Sequence, residues 1–126
     1  MWWFENIAQG GPPEFRYHLI DDEHSQTHAL HFVDLDGDGQ RELITGKRFF
    51  AHNGGDPGGL DPVRMYCYEI KRGDGRPPEF IRHEIEAGAD TGVGTQFAMG
   101  DVDGDDRPDI ILSNKKGVNL LLQSSE

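Results

Sequence analysis

A nine-residue acidic segment occurs twice in the chain, and it constrains the fold more than any other feature. The first copy runs from Asp34 to Glu42 and the second from Asp101 to Asp109. Both copies carry carboxylates at positions 1, 3, 5 and 9. Carboxylates at this density repel one another unless a cation lies among them. A metal-free turn needs only one or two Asp residues, so the pattern favours metal binding.

Calcium fits this pattern because it takes about six to eight hard oxygen ligands from carboxylates and backbone carbonyls. We therefore predict two Ca²⁺ ions. The predicted ligands of the first ion are Asp34, Asp36, Asp38, Glu42 and the Gln40 carbonyl. Those of the second are Asp101, Asp103, Asp105, Asp109 and the Arg107 carbonyl. Gly39 supplies the backbone freedom that the turn needs. Asp106 replaces it in the second copy, which predicts weaker binding there.

The same opening series of carboxylates occurs in EF-hands, but two observations exclude that motif. An EF-hand needs a bidentate Glu at its twelfth position, where this chain has Thr45 and Leu112. The flanking segments also read as strands: apolar runs precede the loops at 29–33 and 97–100, and aliphatic runs follow at 43–45 and 110–112. Each loop is therefore predicted to join two strands.

The repetition extends beyond the loops, with a period of about 65 residues. The segment 12–20 returns at 77–85, and related strand-like segments lie at 2–6, 65–69 and 118–123. Each unit then holds four short strands, which is typical of a β-propeller blade. We predict an all-β chain of four-stranded antiparallel blades, with almost no helix. Residues 1–27 and 86–126 would be partial blades, and 28–85 a complete one.

The segments FVDLDGDGQRELITG and MGDVDGDDRPDIILSNKKG resemble FG-GAP or VCBS-type repeats, the calcium-loop blades of integrin-like propellers and of many secreted bacterial proteins. The resemblance covers essentially the whole chain. It implies that the loop lies between the two inner strands of a blade and that the metal stabilises the turn. It also implies an extracellular or periplasmic location, although the N-terminal residues have no signal-peptide pattern.

The chain holds strands for about two blades, whereas a closed propeller typically has about four to eight. Two interpretations stay open. The chain is either a segment of a longer propeller or a protomer that forms a ring with copies of itself. In both cases the expected partners are further blades or copies of itself.

Composition limits the remaining partners. The formal charge is −11 and no basic stripe is present, so nucleic acid is not an expected ligand. No apolar run reaches the length needed to span a membrane. Cys67 is the only cysteine, which excludes an intramolecular disulfide.

The histidines of the first unit suggest a second ligand site. The second unit has Thr91, Thr95 and Ala98 where the first has histidines, so these histidines are not a repeat requirement. A carbohydrate, a protein ligand or a transition metal would use His24, His28, His52 and Asp56. The alternative is simple surface polarity, because no strict metal-ligand spacing is present. We find no catalytic set and predict a non-enzymatic, calcium-binding structural or recognition module; the alternative is a fragment of a larger sugar-active or lectin-like protein.

Overall fold

The computed structural model of the protein describes residues 1–85 and 90–124. In this part of the chain nine strands account for 44% of the residues, and there is no α-helix. The strands are β1 (Trp2–Asn6), β2 (Phe15–Leu19), β3 (Thr27–Val33), β4 (Glu42–Lys47), β5 (Arg64–Lys71), β6 (Glu79–Ile85), β7 (Phe97–Gly100), β8 (Asp109–Asn114) and β9 (Gly117–Leu121). A single 3₁₀ turn spans Ala51–Gly54.

The strands form three antiparallel sheets, each ordered as the strands follow one another in the chain. The first sheet is β1-β2, the middle sheet is β3-β4-β5-β6 and the last sheet is β7-β8-β9. The prediction of an all-β chain with antiparallel sheets is confirmed. Residues 1–85 and 90–124 close no barrel or propeller on their own. The predicted boundary at residue 86 lies outside the described residues.

Both acidic loops are hairpin connections in the same register. Val33 pairs with Glu42 across β3 and β4, and Gly100 pairs with Asp109 across β7 and β8. Each loop therefore leaves the first strand of its sheet and enters the second. The predicted strand-loop-strand arrangement is observed in both units.

The main core lies between the middle and last sheets. Its buried members are Ala29, Ile44, Met65, Val93, Phe97, Ile110 and Leu112. The two sheets meet along their first strands, where the His31 ring lies 4.5 Å from the Phe97 ring and its Nε2 is 2.8 Å from the Phe97 carbonyl oxygen. Close backbone approaches require small residues here: a Cβ at Gly94 would collide with the Ser113 carbonyl.

The other face of the middle sheet packs against the first sheet. Tyr66, Tyr68 and Ile70 of β5 are buried on this side, and the Trp3 ring lies 6.4 Å from the Phe80 ring. The carboxylate of Asp21, just after β2, accepts hydrogen bonds from Tyr68 and Arg82. The middle sheet therefore has a neighbouring sheet on each side, although Leu30 and Phe32 of β3 stay exposed on the side of the first sheet. The first and last sheets each keep one face open.

Candidate metal centres and clefts

Three carboxylates of the first acidic loop converge on one point. Asp34, Asp36 and Glu42 each offer an oxygen, and these oxygens lie within 4.8 Å of one another. Glu42 is buried at the start of β4, and its Oε2 accepts a hydrogen bond from the Leu35 amide at 2.8 Å. The convergence follows from the hairpin register, which places both ends of the loop side by side. The three residues could hold a metal ion.

The second loop repeats this arrangement. Asp101, Asp103 and Asp109 bring their oxygens within 4.8 Å of one another. The Val102 amide donates to Asp109 at 2.7 Å, in the position of the Leu35–Glu42 bond. Asp109 is fully buried, and its other oxygen accepts the Gln123 amide at 2.9 Å. Glu42 and Asp109 are therefore equivalent: each carboxylate joins its converging group and accepts the amide of the second loop residue, although the Glu42 side chain is longer.

The first carboxylate of each loop organises the backbone in the same way. Asp34 accepts the Gly37 amide at 2.8 Å and the Gly39 amide at 2.9 Å. Asp101 accepts the equivalent Gly104 amide at 2.6 Å and the Asp106 amide at 3.0 Å. These hydrogen bonds turn the loop backbone around the carboxylate of the first loop residue. The two loops thus share one local fold despite their different sequences at the sixth position.

The carboxylates at the fifth position, Asp38 and Asp105, lie outside the groups of converging oxygens. Asp38 accepts the Gln40 amide at 2.7 Å, and Asp105 accepts the Arg107 amide at 2.9 Å. Asp105 also accepts the Arg107 guanidinium, whose hydrogen bonds lower the pKa of that carboxyl. Neither residue belongs to the three-oxygen groups. Of the carboxylates predicted from the sequence, each loop brings together the first, third and ninth positions and leaves the fifth outside.

The predicted second ligand site is divided among separate clefts. His52 and Asp56 are paired, with Nδ1 to Oδ2 at 2.8 Å, and this bond is the main reason that the pKa of Asp56 is lowered. His24 lines a different cleft, formed with Lys47, Asp61 and Tyr66. His28 lines a third, beside Phe97. The structure therefore brings together two of the four predicted residues.

His24 is a buried histidine without a hydrogen-bond partner for either ring nitrogen among the described residues. Its ring stacks on Tyr66 with centroids 4.3 Å apart, and Nδ1 lies 3.5 Å from an Asp21 oxygen. Burial lowers the pKa of His24, which favours the neutral ring. Its nitrogens are closed to solvent, so the residue contributes to packing between the first and middle sheets.

Two further groups have environments that shift their pKa. Burial lowers the pKa of Lys47, whose Nζ donates to the Arg48 and Asp61 carbonyls at 3.2 and 3.3 Å. Burial raises the pKa of the Cys67 thiol to about 11. Cys67 is therefore a protonated packing residue at neutral pH, because the reactive thiolate is suppressed.

Sequence reasoning did not identify one cleft, which lies between the middle and last sheets. It has a volume of about 430 Å³ and is lined by Arg48, Phe49, His52, Thr95, Ser113 and Lys115, among others. A signal was present in the sequence. Lys47–Arg48 and Lys115–Lys116 are two pairs of adjacent basic residues in an otherwise acidic chain. Their spacing is close to the spacing of the two acidic loops.

The described residues contain no apolar helix long enough to cross a membrane. Comparison of the chain with protein-family models, with curated proteins and with solved structures gave no match.

Proposed function

We propose that this chain is a calcium-binding β-propeller repeat module of the FG-GAP or VCBS type, with a structural or recognition role. The observation that carries the proposal is the pair of matched loops. Each presents converging carboxylate oxygens, one from a buried side chain, Glu42 or Asp109. Neither buried carboxylate has an ion-pair partner among the described residues.

A buried charge without a partner is costly, and a coordinated cation removes that cost. Calcium is favoured because all the converging ligands are hard oxygens. In each loop, three carboxylates would bind the ion together with one backbone carbonyl and water. The carbonyl is that of Gln40 in the first loop and that of Arg107 in the second. Weak calcium sites of this kind suit an extracellular or periplasmic location, where calcium is abundant.

Blade-like packing supports the propeller interpretation. The first strands of the middle and last sheets, β3 and β7, lie next to each other, as neighbouring inner strands do around a propeller axis. Each sheet is ordered as its strands follow in sequence. The open face of the first sheet carries Trp2, Phe4, Phe15, Tyr17 and Leu19. We infer that such a face is completed by a further blade or by another copy of the chain.

Calcium titration of metal-stripped protein tests this function. We expect two bound ions by calorimetry and a higher melting temperature in calcium than in chelator. At a calcium concentration one hundred times Kd, each site should stabilise the folded state by about 2.7 kcal/mol. Asp36→Ala and Asp103→Ala should each remove one ion, because both residues belong to the converging groups.

Asp74→Ala is the matched control, since Asp74 is an exposed acidic residue outside both loops. It should bind two ions as the unmodified chain does. Asp38→Ala should lower affinity less than Asp36→Ala, because Asp38 lies outside the group of converging oxygens. If the unmodified chain takes up no calcium and melts at the same temperature with and without chelator, the proposed function is wrong.

A further inference from the structure

The cleft between the middle and last sheets, here called the basic cleft, lies at the opposite end of the sheets from the acidic loops. The acidic loops precede β4 and β8, whereas the basic cleft is lined by residues just after β4, just before β7 and at the end of β8. Its volume of about 430 Å³ falls within the usual range for small-molecule sites, roughly 300–1,000 Å³. It is therefore spatially separate from the proposed calcium sites.

The basic cleft contains one arginine and one lysine, and these two residues occupy equivalent positions of the repeat. Arg48 is the first residue after β4, and Lys115 is the first residue after β8. Because the middle and last sheets lie side by side, these equivalent positions face one cleft from its two walls. The repeat thus concentrates positive charge at one place in a chain whose formal charge is −11.

Among the described residues, the lining of the basic cleft contains no carboxylate. Other clefts differ: the cleft beside the first acidic loop includes Asp36, Asp38, Glu42 and Glu69, and the cleft beside His24 includes Asp22, Glu23 and Asp61. Two acidic residues lie beside the lining residues, and both already have partners. Asp56 accepts hydrogen bonds from His52 and from the Gln26 amide at 3.0 Å. Asp90, whose backbone carbonyl accepts the Asn114 amide, pairs with Lys116 at 3.2 Å.

Arg48 has unused hydrogen-bonding capacity. Its Nε is closed to solvent and has no hydrogen-bond partner among the described residues. The guanidinium also forms no ion pair within residues 1–85 and 90–124. An unpaired buried donor is costly, and a guanidinium offers a planar donor set that matches a carboxylate or a phosphate.

Lys115 adds donors on the other wall of the cleft. The Lys115 Nζ donates one hydrogen bond to the Phe50 carbonyl at 2.9 Å and lies 5.0 Å from the Phe50 ring centroid, so donors remain for a ligand. The hydroxyls of Thr95 and Ser113 complete the polar wall, and Phe49 supplies apolar surface.

We propose that the basic cleft binds a small organic molecule carrying an oxyanion group, either a carboxylate or a phosphate. The oxyanion lies between Arg48 and Lys115, and the body of the molecule lies against Phe49. This site does not use the carboxylates that form the proposed calcium sites. Loss of calcium binding and loss of anion binding are therefore separable by experiment.

Matched aromatic probes test the charge requirement. Benzoate and phenyl phosphate carry the two oxyanions, whereas benzamide is the neutral counterpart of benzoate. In a calcium-containing chloride buffer, we expect calorimetric binding of at least one anion and amide shifts in NMR spectra near Gly94 and Lys115. Benzamide should produce neither effect. Added sodium chloride should weaken binding, because the attraction is partly electrostatic.

Substitutions of single cations test the location. Arg48→Gln and Lys115→Gln should each weaken anion binding by about tenfold to a hundredfold, as expected for a lost charge-assisted hydrogen bond. Arg16→Gln makes the same change in net charge at an exposed side chain of β2 and should leave the affinity unchanged. Asp36→Ala should also leave it unchanged, even if that variant loses a calcium ion.

Several results would overturn the proposal: no binding of either anion, equal binding of benzoate and benzamide, or an equal loss of affinity in Arg16→Gln and Arg48→Gln. Amide spectra and melting curves establish whether each variant is folded. If Arg48→Gln does not fold, Lys115→Gln decides, because the Lys115 side chain lies at the exposed rim of the cleft.

Discussion

Gly39 and Asp106 occupy the same position of the two acidic loops, with φ angles of 86° and 65°. Both amides donate to the first carboxylate of their loop, so this left-handed conformation is needed to close the turn. Glycine adopts it without steric cost, whereas Asp and Asn adopt it more easily than other non-glycine residues. A Cβ at Gly39 would meet no atom within 4 Å. Substitution there would therefore act through backbone strain and not through a clash.

We predict that Gly39→Ala lowers the free energy of unfolding by about 1–2 kcal/mol, the cost of a left-handed conformation for alanine. Gly39→Asn should cost clearly less, because Asn tolerates this conformation. Urea unfolding of the three proteins in calcium measures both differences. Equal destabilisation by Ala and Asn would show that the turn does not depend on this backbone angle.

At the scale of elements, the hairpins around the acidic loops could be predicted from sequence because every signal for them is local. Apolar alternation marks β3 and β7, the loop follows directly, and aliphatic residues mark β4 and β8. The convergence of the first, third and ninth carboxylates follows from that register. The orientation of the fifth carboxylate does not, because it depends on hydrogen bonds such as Asp38 to the Gln40 amide.

The segment between β4 and β5 could not be predicted in the same way. Phe50, His52 and Asn53 have positive φ angles, and no hydrophobic period marks their positions. The contact between Lys115 and the Phe50 carbonyl joins residues far apart in the chain. Local patterns carry no information about such a contact. The same reason applies to two histidine–backbone contacts: that of His31 with the Phe97 carbonyl of β7, and that of His28 with the Thr95 carbonyl just before β7.

The link between the first and middle sheets depends on Asp21. Its buried carboxylate accepts hydrogen bonds at 2.8 Å from the Glu23 amide, the Tyr68 hydroxyl and the Arg82 guanidinium, and His24 faces its other side. Burial alone would raise the pKa of Asp21, but these hydrogen bonds together lower it below 3.8. The folded state therefore favours the ionised form more than the unfolded state does.

We predict that Asp21→Asn lowers the free energy of unfolding at neutral pH by about 2 kcal/mol, because hydrogen bonds to a charged group are lost. The stability that the Asp21 charge supplies is complete above the unfolded pKa of 3.8 and disappears as pH falls through the lower folded pKa. The difference between the two proteins should therefore shrink below about pH 4. Urea unfolding over a pH series measures it.

Asp22→Asn serves as the control for this prediction, since Asp22 is an exposed neighbour with the same charge. It should change the unfolding free energy little at any pH. A constant difference between the unmodified chain and Asp21→Asn down to strongly acidic pH would contradict the assignment of the stabilisation to the ionised carboxylate.

At the scale of the whole molecule, the two outer sheets each leave an apolar face exposed. On the first sheet the face includes Phe4 and Tyr17, which pair across the strands and are 63% and 68% exposed. On the last sheet it includes Ile111, Leu120 and Val118, the last 78% exposed. The middle sheet shows how such a face is covered where a neighbour lies against it, because Tyr66 and Tyr68 of β5 are buried on the side of the first sheet. Apolar faces of this extent on both outer sheets favour association.

We predict that the chain associates through these two faces, and light scattering after size-exclusion chromatography should give a mass above that of one chain. Tyr17→Lys combined with Val118→Lys should shift the mass towards one chain, because it places a charge on each face. Leu60→Lys is the control, since Leu60 is 67% exposed outside both faces. A closed ring gives one sharp mass, whereas open head-to-tail contacts give masses that rise with concentration. If the mass is that of one chain at every concentration, the chain does not associate with copies of itself. The exposed faces would then be expected to pack against further blades.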